Sequence, residues 1–249
     1  MTMPHNISII GKNKVAEALF TYWKDHADSN VSWNDEQRLA EAELVIETVN
    51  LDQYDKRQNL SLIESIAPRT TTILSTSFQW TANELASWLK HPERLVGFAA
   101  FDNFADTKLT ELAPALQTDP AHLEAARKQL EAIGKETETV DDEPGMVFPR
   151  IISLIINESV FAYMEKTARA ADIDTAMKKG TNYPYGPLEW VEKVGIENVY
   201  AVLEGLHRHL GEERYRPASL LRKFVYAGWG GSGRGFCEHE KKEVKELVK

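Results

Sequence analysis

Lys12 and Lys14 stand on a turn, Gly11-Lys12-Asn13-Lys14-Val15-Ala16, between a short β-branched run, Ile7-Ser8-Ile9-Ile10, and a segment with apolar residues at Val15, Ala18, Leu19, Tyr22 and Trp23. That spacing is one face of a helix. The turn therefore lies where a strand hands over to a helix N-terminus, whose backbone amides attract anions. Either the two lysines bring positive charge to a bound phosphate or they belong to a solvated turn, and the residues alone leave both readings open. Other chemistry-bearing side chains are scattered. The histidines are His5, His26, His91, His122, His207, His209 and His239, and Cys237 is the single cysteine. No Cys/His cluster has metal-ligand spacing, and His207 and His209, two apart on a predicted helix, face different directions. One cysteine permits no internal disulfide, and the chain fits a reducing compartment or is indifferent to redox.

Around the turn, strands are expected at 7–10, 31–33, 44–46, 72–74, 95–98 and 109–112, and helices at 15–23, 36–43, 53–66, 82–89 and 121–133. Strand, helix, strand in about 30 residues is a βαβ unit, and continued alternation predicts a parallel sheet with helices on its faces. The acidic, proline-containing Val140-Asp141-Asp142-Glu143-Pro144-Gly145 is the candidate boundary, dividing the chain into domains 1–143 and 144–249. Beyond it strands disappear and the reading is all α. Residues 151–164 are apolar nearly all round, as in a helix buried on several sides. Asp172 is expected to cap a short helix through Met177, Pro187 to open one that Gly195 ends, and 196–210 to form another stopped by Gly211. The charged tail, 238–249, reads as a solvated helix end.

A chain of 249 residues with 43% hydrophobic and 27% charged side chains has ordinary globular composition. Its 38 acidic and 29 basic residues give a formal charge of -9, which opposes phosphate backbones and argues against general nucleic-acid binding. A polyanionic ligand needs a local basic patch. The start, Met1 to Asn6, lacks an export pattern, and no apolar stretch approaches the roughly 20 residues that span a bilayer, so a soluble, cytoplasmic protein without membrane association is expected.

The run Asp172-Ile173-Asp174-Thr175-Ala176-Met177, followed by Gly180-Thr181-Asn182-Tyr183-Pro184-Tyr185-Gly186-Pro187-Leu188-Glu189-Trp190, resembles the C-terminal domain of 3-hydroxyacyl-CoA dehydrogenases. The likeness continues through Val194-Gly195-Ile196, Tyr215-Arg216-Pro217 and Leu220-Leu221 to Gly233-Arg234-Gly235-Phe236. In the N-terminal half it holds at Ala42-Glu43-Leu44-Val45-Ile46-Glu47, Lys56 and His91-Pro92-Glu93-Arg94-Leu95-Val96-Gly97. The resemblance, nearest to 3-hydroxybutyryl-CoA dehydrogenases, implies an α/β fold class. A truncated Rossmann-like parallel-sheet domain is followed by an all-α, 6-phosphogluconate-dehydrogenase-type domain that dimerises. It also implies NAD-linked oxidation of 3-hydroxyacyl-CoA in fatty acid metabolism, an acyl-CoA-type ligand and a homodimer.

Against that pattern the chain is worn. Family members seat the cofactor pyrophosphate on a glycine-rich turn, because residues without side chains let backbone amides approach it. Gly11 keeps the first glycine and Ala16 is a tolerated third position, but Asn13 replaces the glycine of closest approach. Asn34 or Asp35 lies where the ribose-binding acid belongs, and Glu47 and Lys56 match positions on the cofactor side or are surface charges. The long helical hairpin that covers the acyl-CoA in the family is nearly absent between Asp35 and Leu44. NAD binding is accordingly expected to be weakened or lost.

The family uses a histidine base, a glutamate that orients it, and a serine and an asparagine on the substrate oxygen. Here the histidine position holds Ala99 and the asparagine position Pro149. The serine position aligns with Phe78, or with Ser77 after a one-residue shift, while Glu111 matches the glutamate. Three readings follow: a divergent dehydrogenase with slow turnover, a non-catalytic binding or partner protein, or other chemistry from Glu111 and Asp102.

Overall fold

The computed structural model describes residues 5–26, 30–229 and 236. The chain divides into two compact units, Met1–Val147 and Phe148–Lys249.

In the first unit β1 (Asn6–Ile10), α1 (Lys14–His26), β2 (Asn30–Trp33), β3 (Leu44–Glu47), α2 (Gln53–Ile66), β4 (Thr72–Thr76), α3 (Ala82–Ala86), β5 (Leu95–Phe98), β6 (Leu109–Pro114), α4 (Pro120–Ala132) and β7 (Glu136–Thr139) build a seven-stranded sheet of order β2-β1-β3-β4-β5-β6-β7. β1 to β5 are parallel, as the alternation predicts. The parallel expectation fails at β6, which runs antiparallel to β5, with β7 parallel to β6. Residues 99–108, which join β5 to β6, are fewer than the dozen or so that a parallel crossover needs, so the chain simply turns back. β7 eluded the sequence reading because Glu136-Thr137-Glu138-Thr139 has no apolar residue, and such polar, charged strands belong at sheet edges.

Successive strand residues face opposite sides, which gives two cores. Ile7, Ile9, Leu44, Ile46, Leu74 and Val96 pack under α1 and α4. Val45, Ile73 and Leu95 pack under Leu60 and Ile63 of α2 and Leu85 of α3. Strands covered on both faces are buried throughout, as in β3, β4 and β5. Two predicted helices are shorter than expected. Residues 36–43 form only a 3-10 turn, Glu36–Glu41, that buries Leu39 alone, and 82–89 is helical only as far as Ala86.

The second unit is helical: α5 (Phe148–Met164), α6 (Ala170–Thr181), α7 (Pro187–Val194), α8 (Ile196–Leu210) and α9 (Ser219–Tyr226). α8 is its centre, burying Val199, Val202, Leu203 and Leu206, and it ends at Gly211 in the left-handed region, as expected. α5 buries Ile152, Ile156 and Val160 but exposes Phe148, Ile151 and Met164, so its apolar character is not explained by burial on several sides within this unit. Asp172 is not the cap of α6. The helix begins one turn earlier after Arg169, and Asp172 in its first turn pairs with that arginine at 2.8 Å. The run Gly233-Arg234-Gly235, Cys237, His239 and the tail 238–249 lie outside the described residues.

The motif that links α6 to α7 has a packing explanation. Asp174 Oδ1 accepts the Leu188 amide at 2.8 Å, and Glu189 Oε2 accepts the Gly186 amide at 2.9 Å while its other oxygen pairs with Lys178 at 2.6 Å. A Cβ on Gly186 would overlap the Asp174 side chain, so the position requires glycine. Burial pushes the Asp174 carboxyl above its usual range.

Candidate functional site

β1 and β3 lie side by side, yet the helices that follow them, α1 and α2, cover opposite faces of the sheet. Such a switch point leaves a crevice beyond the carboxyl ends of the two strands, where ligands of open α/β sheets bind. Gly11 enters it from β1 and Thr48 from β3. Gly11 has a φ of +148°, and a Cβ there would overlap Thr48 Oγ1, which accounts for the glycine.

The crevice is crossed by side chains. Asn13 immediately precedes α1, and its Oδ1 accepts the Ala16 amide at 2.9 Å, the bond an N-cap residue makes. The same oxygen accepts from Thr48 Oγ1 at 3.0 Å, and Asn13 Nδ2 donates to the Thr48 carbonyl at 2.6 Å. Asn34 sits in the left-handed region at φ 50° and turns towards the glycine. Its Oδ1 accepts the Gly11 amide at 2.9 Å, and its Nδ2 donates to the Gly11 carbonyl at 2.8 Å. Trp33 Nε1 donates to that carbonyl as well, at 2.9 Å. Asp35 is exposed and caps the 3-10 turn by accepting the Gln37 amide at 3.1 Å.

Glu47 and Lys56 are not surface charges. Both side chains are fully buried and form an ion pair of 2.6 Å. Glu47 also accepts from Ser75 Oγ at 2.9 Å, Val49 N at 2.9 Å and Asn59 Nδ2 at 3.2 Å. Lys56 donates to the Thr76 carbonyl at 2.8 Å and to Thr76 Oγ1 at 3.3 Å. Burial lowers the lysine pKa against the attraction of Glu47. With no exposed surface, the pair ties the ends of β3 and β4 to α2.

At the other end of the sheet, the β5–β6 register, Phe98 opposite Leu112, continues to set Ala99 across from Glu111, whose carbonyl accepts the Ala99 amide at 3.1 Å. Glu111 is nearly buried, and its Oε2 accepts the Val147 amide at 2.8 Å. Ser77 is buried, donating to the Ser75 carbonyl at 3.3 Å, and Phe78 packs tilted against Phe101 with centroids 4.9 Å apart. Pro149 is buried as the second residue of α5. The histidines have other places. His5 pairs with Glu43, His91 with Glu93, His26 bonds the Tyr22 carbonyl and His122 bonds Thr72 Oγ1 at 2.8 Å. His207 and His209 end α8. Among the described residues no group of three His, Cys, Asp or Glu could hold a metal ion, and no helix is long and apolar enough to cross a membrane.

Missed by sequence reasoning were Thr48, the inward turn of Asn34 and the pairing of Glu47 with Lys56. So was the capping role of Asn13, for which a signal existed: asparagine is among the preferred N-caps, and Asn13 stands two residues before the helical spacing that begins at Val15.

A Rossmann-like sheet with its switch-point crevice, followed by a helical unit, defines the class of dehydrogenases with a dinucleotide-binding domain and a helical partner domain. Residues 12–143 match the 3-hydroxyacyl-CoA dehydrogenase NAD binding domain and residues 145–239 the 3-hydroxyacyl-CoA dehydrogenase C-terminal domain. The chain is 34% identical over 211 residues to a probable 3-hydroxybutyryl-CoA dehydrogenase of Bacillus subtilis (strain 168), covering 83% of this chain and 74% of that one. It superposes on (S)-3-hydroxybutyryl-CoA dehydrogenase from Ralstonia eutropha with a TM-score of 0.72 at 26% identity, over 92% and 97% of the two chains. FadB2 of M. tuberculosis shares the fold with a TM-score of 0.81 at 19% identity, over 94% of this chain and 98% of that one. The chain belongs to the 3-hydroxyacyl-CoA dehydrogenase family, and that membership implies NAD as its class of cofactor.

Proposed function

We propose that this chain is a 3-hydroxyacyl-CoA dehydrogenase relative whose oxidation of 3-hydroxyacyl-CoA is weak or lost. In this reading it acts as a non-catalytic binding or partner protein, with 1–143 as its dinucleotide-type domain and 144–249 as its dimerising domain. One observation carries the reading: the residue whose amide meets the Glu111 carbonyl across the strands is Ala99, whose side chain has no proton acceptor. Loss of a general base lowers a rate by about two to four orders of magnitude. Pro149 offers neither a polar side chain nor an amide proton to the substrate oxygen, and a missing oxyanion donor lowers the rate by about two to three orders more. Ser77 and Glu111 are what remains of the catalytic set. Their hydrogen bonds to Ser75 and Val147 support a structural use of both. Glu47 and Lys56 act as positioning residues under the crevice, and Gly11 and Ala16 shape its turn.

The ligand class carried over from the relatives is an acyl-CoA thioester, and the partner is a second copy of the chain. NAD fits the fold, but Asn13 bridges the pyrophosphate seat as built.

The test is oxidation of NADH in the presence of acetoacetyl-CoA. Activity is expected to lie at least about a hundredfold below the usual 1–10³ per second of working enzymes. Turnover within that ordinary range would refute the reading. Ala99→His in the same assay tests whether the histidine position is the one identified.

A further inference from the structure

The crevice holds two asparagines where a dinucleotide site needs, respectively, open space and an outward acceptor. We infer that Asn13 and Asn34 occupy the pyrophosphate and ribose positions themselves, so that the chain closes its own cofactor site and excludes NAD. The inference rests on membership of the dinucleotide-binding family and deepens the reading of a silenced enzyme.

The residue types are matched to the turn rather than to a ligand. A pyrophosphate on a helix N-terminus needs free amides and no intervening side chain. The Asn13 carboxamide supplies the opposite. Its oxygen accepts from Ala16 N and Thr48 Oγ1, and its nitrogen donates to the Thr48 carbonyl, so one side chain bridges the start of α1 to the loop after β3. Glycine makes none of these bonds, and aspartate, an acceptor only when ionised, cannot make the last.

Asn34 repeats the logic at the end of β2. A ribose hydroxyl is held there by a carboxylate that faces outward. Asn34 instead both accepts from and donates to the backbone of Gly11, which a carboxylate cannot do. Trp33 adds a second donor to the Gly11 carbonyl. Asp35, the next residue, is exposed and accepts the Gln37 amide through Oδ1 as the cap of the 3-10 turn. Two side chains from different strand ends thus converge on the turn, and each uses both ends of its carboxamide.

The experiment is a titration of the full chain with NADH, read by nicotinamide fluorescence and by calorimetry, without acyl-CoA and without turnover. The unaltered chain is expected to show no saturation at millimolar NADH, and Asn13→Gly to bind at least about tenfold tighter, with Asn13→Gly/Asn34→Asp tighter again. Saturable micromolar binding by the unaltered chain would overturn the inference. So would an Asn13→Gly protein that is folded by circular dichroism and gains nothing. If Asn13→Gly does not fold, Asn13→Ser keeps an N-cap oxygen but loses the bridge to Thr48; a gain there supports the inference and no gain overturns it. Because no reaction is read, tight binding by the unaltered chain would sink the self-closure while leaving the lost base at Ala99 untouched. Acetoacetyl-CoA reduction in the ordinary range would sink both.

Discussion

Replacing Lys56 with methionine removes the cation from an ion pair in which neither side chain has any exposed surface. Breaking a buried pair from one side costs about 3–5 kcal/mol, because the other charge stays in low dielectric. Glu47 would keep Ser75, Asn59 and Val49 as donors, which places Lys56→Met at the low end, about 3 kcal/mol. For a unit of this size that lowers the melting temperature by roughly 6–12 °C. Glu47→Gln should cost less, since an amide oxygen can still accept from the neighbouring donors. In Lys56→Met the Glu47 carboxylate is left buried without its cation, so the double replacement, Glu47→Gln/Lys56→Met, which removes that charge as well, is expected to be more stable than Lys56→Met alone. The assay is urea unfolding followed by circular dichroism and by tryptophan emission, since Trp80 lies 5.9 Å from the lysine nitrogen. A loss below about 1 kcal/mol for Lys56→Met, or strictly additive losses in the double variant, would show that the two groups are not energetically coupled.

Gly186→Ala should destabilise the helical unit by about 1–3 kcal/mol, because the added methyl overlaps Asp174; an unchanged urea midpoint would contradict that packing. Lys135, buried, donates to the Phe104 and Thr107 carbonyls, both at 2.6 Å, and burial lowers its pKa from 10.5 to about 8. Between those values the unfolded chain binds more protons, so the stability of the unaltered protein relative to Lys135→Met should rise from pH 8 to 10.5, and a flat difference would refute the shift. The exposed Phe148 and Ile151 on α5 fit the proposed second copy of the chain. Sedimentation should give a dimer at micromolar concentration and Ile151→Glu a larger monomer fraction, whereas a monomer from the unaltered chain would count against the proposal.

Much of the fold was legible because local rules and packing agree. α2 starts at an Asp52 cap, and α8 runs between two glycines, Gly195 and Gly211. The alternation of strands and helices gave the parallel part of the sheet. The reversal at β6 depends on the shortness of a loop, and β7 has no apolar signal at all. The site was legible only in part. The resemblance alone sets Ala99 and Glu111 at the base and glutamate positions, and their cross-strand meeting is a matter of register. Glu47 and Lys56 are ordinary charges in the sequence, and their mutual burial is set by the convergence of β3, β4 and α2. Asn13 read as a lost glycine; what it bonds in exchange depends on Thr48, 35 residues away in sequence.

The acidic stretch before the helical unit has the composition of a slack linker, yet it is fastened along its length. Val140 N bonds the Leu112 carbonyl, Asp142 grips the Ala82 and Asn83 amides at 2.6 and 2.7 Å, and Glu111 holds Val147. An endoprotease must draw its target out as a free extended strand, and here that would mean unseating α3 as well. Brief digestion should therefore spare the stretch that composition marks as easiest to cut.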